Sequence, residues 1–151
     1  MLTYKTFIFI SMVLLHIIED FHLQGILASM KQESWWQSEC NKLNIIYRLS
    51  KYKYDYIVGL CIHALENSIF IALPLIIDSL IAIFTGSPDN KYFIVWLFII
   101  VANTVIHAVI DNFKCNWKCI NLITDQVLHF VFIILFFSMY ESYLGLWICQ
   151  A

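Results

Sequence analysis

Tyr92-Phe-Ile-Val-Trp-Leu-Phe-Ile-Ile-Val-Ala-Asn-Thr-Val-Ile-His-Ala-Val-Ile-Asp-Asn-Phe113 decides the fold. The run is long enough to cross a hydrocarbon core, which takes roughly 20 helical residues. Its first half is uninterrupted apolar sequence with no turn-forming residue. Its second half carries Asn103, His107 and Asp111 at every fourth position, which a helix places on one face. It therefore reads as a membrane-crossing helix with a polar stripe near one end.

Three further segments have the same character. The spans expected from hydropathy cover about residues 6–28, 56–84, 92–113 and 120–147 of a single transmembrane domain, residues 1–151. A long polar loop, about residues 29–55, joins the first two, and short breaks at 85–91 and 114–118 join the rest. Composition agrees, with 61% hydrophobic residues, 13% charged and a mean hydropathy of +0.75. A water-soluble domain carries about 25% charged residues. Intrinsic disorder and a disulfide-rich secreted scaffold are excluded by the same composition, and a net charge of −2 argues against nucleic acid as a partner. The expected fold class is all-α, an integral membrane four-helix bundle whose partner is the lipid bilayer.

The first span does not read as a cleaved signal peptide, because it ends in His16, Glu19, Asp20 and His22. Of the nine Lys and Arg residues, Lys31, Lys42, Arg48, Lys51 and Lys53 fall in the long loop, and Lys114 and Lys118 in the last break. The positive-inside rule makes that side cytoplasmic and puts both termini outside a cell (inner) membrane. Trp35, Trp36 and a group of tyrosines suit interfacial anchoring of the loop. Residues 43–49 are expected to form a short helix on the bilayer surface.

The chemistry sits on the helices. His16, Asp20 and Gln24 form one stripe, Asn103, His107 and Asp111 a second, and Asp125 and His129 a third; His63 supplies the remaining helix, with Glu66 or Asn67 one turn on. Counted at 1.5 Å per residue, these groups lie roughly 3–18 Å from the cytoplasmic ends of their helices. All four helices can thus meet at one site in the cytoplasmic half of the bilayer. Asp78 and Glu141 fall near the outer face and are excluded. An intramembrane histidine by itself is often a helix–helix hydrogen bond; four at one depth among carboxylates point further.

No Lys or Arg falls inside any span, so the acids there need protons or cations. Imidazole and carboxylate ligands suit a divalent metal, zinc first, with manganese or iron as alternatives. The expected ligands are His16, Asp20, His63, His107, Asp111, Asp125 and His129, enough for two ions about 3.5–4 Å apart. Gln24, Asn103 and Gln126 are expected to orient them by hydrogen bonds. Glu19 and Glu66, each one turn from a ligand histidine, are the expected catalytic bases.

His16-x-x-x-Asp20-Phe21-x-x-Gln24, His63, His107-x-x-x-Asp111 and Asp125-Gln126-x-x-His129 together resemble domain of unknown function 3307, a family of small bacterial and phage integral membrane proteins. The resemblance spans all four helices and implies an organisation, not a reaction. The function expected from the residues is a membrane-embedded metal-dependent hydrolase acting on a lipid-linked or membrane-proximal phosphoester. Its alternatives are a metal-ion or proton transporter and a membrane interaction protein with a structural metal.

Overall fold

The computed structural model describes residues 3–85 and 91–148, and every regular element in them is helical. Helix α1 (Tyr4–Ile18) starts at Thr3, whose hydroxyl accepts the Thr6 backbone N–H at 3.3 Å. It passes into a π-helical turn over Glu19–Leu23. Gly25 then takes φ +49, a left-handed conformation that glycine adopts without a Cβ clash, and the chain turns. The first membrane-length helix consequently ends at Leu23, several residues before the expected position 28.

A short α2 (Leu27–Met30) and α3 (Glu33–Lys42) follow. The loop helix is therefore not where amphipathicity put it. Asn44 sits at φ 56 and breaks the chain after α3, and only one 3-10 turn, Tyr47–Leu49, forms in the expected stretch. Tyr47 is buried and donates to the Lys53 carbonyl at 2.7 Å. Burial, with Glu33 nearby, pushes its phenol up to about 12, so it stays a protonated donor. Trp36 donates from its indole to the Met30 carbonyl at 2.8 Å and stacks on Tyr52. The aromatic group thus clamps the loop on itself.

Helices α4 (Asp55–Phe84), α5 (Lys91–Cys115) and α6 (Leu122–Ile148) complete the bundle, and α4 continues through Pro74. With the segment Tyr4–Leu23, four helices are long and apolar enough to cross a membrane. The expected break at 85–91 lies mostly outside the described residues.

The surface of these helices is apolar. Phe7, Leu14, Ile62, Ile69, Phe98, Val105, Val127 and Ile134 all point outward and are exposed. A contiguous face of this kind belongs against lipid. Inside, the bundle has two layers. Met12, Ile71, Leu75, Ile99 and Ile133 are almost fully buried and form an apolar layer. The polar stripes pack beside it, toward the loop that carries α2 and α3. Beyond the apolar layer, at the other end, Asp78 accepts hydrogen bonds from Tyr4 and Tyr140 at 2.7 Å each, and Glu141 pairs with Lys5.

Candidate metal centre

Four histidines from four helices meet in this polar layer. Helix α1 contributes His16, α4 His63, α5 His107 and α6 His129, and each is almost fully buried. Fourfold spacing on α5 and α6 turns Asp111 and Asp125 inward beneath His107 and His129. On the first helix Asp20, four residues after His16, is turned inward likewise, and Glu19, where the π-helical turn begins, is buried with it. Nothing in the residue spacing announces that turn.

Two groups of ligand atoms result. Asp20, His63, His107 and Asp111 each offer one atom within 4.8 Å of the others, and so do Asp111, Asp125 and His129. In the first, His63 Nε2 lies 3.2 Å from His107 Nε2, 3.2 Å from Asp111 Oδ2 and 3.5 Å from Asp20 Oδ1, with His107 Nε2 3.8 Å from Asp111 Oδ2. Ligands about 2.0–2.2 Å from a tetrahedral zinc stand about 3.3–3.6 Å apart. In the second, His129 Nε2 lies 3.7 Å from Asp111 Oδ1 and 3.5 Å from Asp125 Oδ1. Asp111 belongs to both, one oxygen to each.

The hydrogen bonding leaves these atoms under-used. Among the described residues, the buried side-chain atoms without a hydrogen-bond partner are all at this layer. They include His16 Nε2, Asp20 Oδ1, Asp111 Oδ1, Asp125 Oδ1 and His129 Nε2. Native interiors leave only a few such atoms per hundred residues, and a cluster of them calls for an ion or water.

Around the ligand atoms lies a second set of contacts. Glu19 turns Oε1 to His63 Nδ1 at 3.2 Å, the nitrogen facing away from the ligand group, at an angle too poor for a hydrogen bond. Its Oε2 accepts from Asn67. Both polar atoms of Asn67 also approach His16 Nδ1, Oδ1 at 3.4 Å and Nδ2 at 3.1 Å. Gln126 donates to Asp20 Oδ2 at 2.7 Å and to Asp125 Oδ2 at 3.1 Å. Gln24 bonds the Asp20 backbone carbonyl, and Asn103 donates to Ser68 at 2.8 Å, a turn away from the ligand atoms.

Several sequence expectations need correction here. Glu66 is only half-buried and has no ion pair or hydrogen bond among the described residues, whereas Asn67 occupies the inward position on α4. Glu19 is at the site, but its carboxylate faces the outer nitrogen of His63 and not the ligand group. His16 falls outside both ligand groups.

The largest correction concerns charge. Lys31 is buried and its ammonium meets Asp111 Oδ2 at 2.6 Å; Lys114 meets Asp125 Oδ2 at 2.6 Å. The carboxylates are therefore not without lysine partners. Lys31 is brought in from the loop by a built support. Gly59 on α4 lies so close to the α2 backbone that a Cβ there would stand 2.7 Å from the Met30 carbonyl carbon and oxygen. Asn116 holds the same turn from just past the end of α5, donating to the Lys31 carbonyl at 3.1 Å and accepting from the Glu33 N–H at 2.7 Å.

Compared with family models, curated proteins and solved structures, the chain finds no match, so the resemblance to domain of unknown function 3307 rests on its four quoted motifs and the geometry carries the functional reading.

Proposed function

We propose that this protein is a membrane-embedded metal-dependent hydrolase acting on a lipid-linked or membrane-proximal phosphoester from the cytoplasmic side. The observation that carries the reading is the convergence of buried imidazole nitrogens and carboxylate oxygens close to tetrahedral edge lengths, with Asp20 Oδ1, Asp111 Oδ1, Asp125 Oδ1 and His129 Nε2 among them left without a hydrogen-bond partner. Asp20, His63, His107 and Asp111 would hold one divalent ion, zinc by ligand type, and Asp111, Asp125 and His129 a second. A bound ion would bring the pKa of a water toward about 7 and polarise a phosphoryl oxygen.

The protein's own groups supply the rest. Glu19 and Gln126 orient the ligands. Asn67 bonds Glu19 through its amide nitrogen and faces His16 Nδ1 with both polar atoms, which leaves His16 Nε2 buried without a partner. His16 is thereby the histidine left for proton transfer. Water oxygen bonds to phosphorus as the bond from phosphorus to the leaving oxygen breaks. His16 takes the water proton and returns it to the leaving oxygen.

Orientation follows from charge. With Lys31 and Lys114 engaged in the site, Lys42, Arg48, Lys51, Lys53 and Lys118 still outnumber Lys5 and Lys91, which supports a cytoplasmic loop. A transporter is the weaker reading, because the almost fully buried layer of Met12, Ile71, Leu75, Ile99 and Ile133 separates the polar site from Asp78. Purified protein should retain zinc and release phosphate from a lipid phosphoester, with both lost in His107→Ala. Zinc flux into proteoliposomes without hydrolysis of any phosphoester would replace this reading with transport.

A further inference from the structure

Formal charge at the site sets how many ions it can hold. Glu19, Asp20, Asp111 and Asp125 bring four negative charges, and Lys31 and Lys114 two positive ones. The histidines are neutral when they act as ligands. The site therefore carries two negative charges in excess, and one divalent ion cancels them. The second ligand group is nonetheless built. Asp111 Oδ1, Asp125 Oδ1 and His129 Nε2 are buried, unpartnered and turned to one point. Filling it would leave two positive charges in a low-dielectric interior, at a cost of several kcal/mol.

We propose that the second ion enters only together with a dianionic phosphate monoester, which the two lysines help to hold. This rests on the metal-dependent reading above and names its substrate class. A phosphate monoester restores neutrality, whereas a diester or a carboxylate brings one charge and leaves the site positive. Each lysine is bonded to one carboxylate oxygen, while an ammonium has three donors. The two differ in access. Lys31 is 5% exposed and fixed by the Gly59 and Asn116 contacts, whereas Lys114 is 24% exposed at the cytoplasmic end of α5. The anion therefore enters past Lys114 and ends on Lys31.

The test is zinc stoichiometry of the full chain, which needs no turnover. Protein in detergent is loaded with zinc alone, with zinc and inorganic phosphate, or with zinc and acetate. It is also loaded in nanodiscs of phosphatidylcholine with or without phosphatidic acid. One zinc per chain is expected with zinc alone, with acetate or in phosphatidylcholine, rising to two with phosphate or phosphatidic acid. A rise with phosphatidic acid but not with free phosphate would assign the lipid headgroup as the source. Lys31→Arg should keep this phosphate dependence, whereas Lys31→Gln, which makes the site one charge more negative, should take the second zinc with acetate as well as with phosphate. Two zinc ions without any anion, one under every condition, or an equal rise with acetate would overturn the proposal. A phosphate-linked second zinc with no hydrolysis would instead keep this inference and remove the hydrolase.

Discussion

Glu19 and His16 are joined through Asn67, yet they stand in different relations to the ligand atoms. Glu19 faces the outer nitrogen of a ligand histidine, so Glu19→Gln should weaken zinc binding about 10–100-fold, as loss of such partners does elsewhere. His16→Gln should keep its zinc and lose about 10²–10⁴-fold in turnover, the usual worth of a positioned acid–base group. Glu66→Gln should change neither. Metal content and phosphate release, measured on the same samples, check all three. Zinc loss in His16→Gln equal to that in Glu19→Gln would return His16 to the ligands.

Asp111 carries a stability prediction as well. Removing its carboxylate leaves the Lys31 ammonium buried without its partner, which costs about 3–5 kcal/mol. Asp125→Ala should cost less, because Lys114 can turn to water. Denaturation in mixed micelles under chelator would order the two, and Lys31→Met should recover much of the Asp111→Ala loss.

At the scale of the element, the regular helices were legible and the irregular ones were not. Fourfold spacing on α5 and α6 points the right side chains inward because those helices are regular over that stretch. On the first helix the same rule finds His16 and Asp20, with Glu19 beside them, but the π-helical turn that begins there is not registered by spacing. Residues 43–49 were expected to be helical from their apolar content; Asn44 in a left-handed conformation stops it. Lys31 read as a solvated loop charge because its partner is 80 residues away. The one sequence hint was Gly59, whose missing Cβ admits the turn that carries Lys31. Gly59→Ala should push that turn outward and cost about 1–3 kcal/mol, as overpacking does. It should also raise the phosphate concentration needed for the second zinc. A change in stability alone, with phosphate dependence intact, would separate the packing contact from the placement of Lys31.

For the whole molecule, the site joins parts that the membrane alone would hold together only loosely. Between helices in lipid there is little hydrophobic drive to associate, and polar contacts and close packing supply much of the specificity. Here the π-helical turn after α1 and helices α4, α5 and α6 send ligand atoms to two adjoining groups, and Asp111 is common to both. An ion in the first group would fasten the first membrane-length segment, α4 and α5, and one in the second would tie α5 to α6, while the apolar layer packs the helices beside the site. Orientation is checked by accessibility: Lys42→Cys should react from the cytoplasm alone and Thr85→Cys from outside alone. Metal linkage predicts the rest. An ion that binds only the folded bundle stabilises it by about 2.7 kcal/mol at a hundred times its dissociation constant. Chelation should lower Tm in detergent by several degrees, and stepwise zinc should restore it. Because the ligands must shed protons to bind, the zinc-dependent part of Tm should fade as pH drops through the ordinary histidine range, near 6.5. The chelated protein sets the baseline at each pH. A zinc increment that persisted at pH 5 would mean that the histidines are not the ligands, and the bundle would owe its closure to the lysine–carboxylate pairs instead.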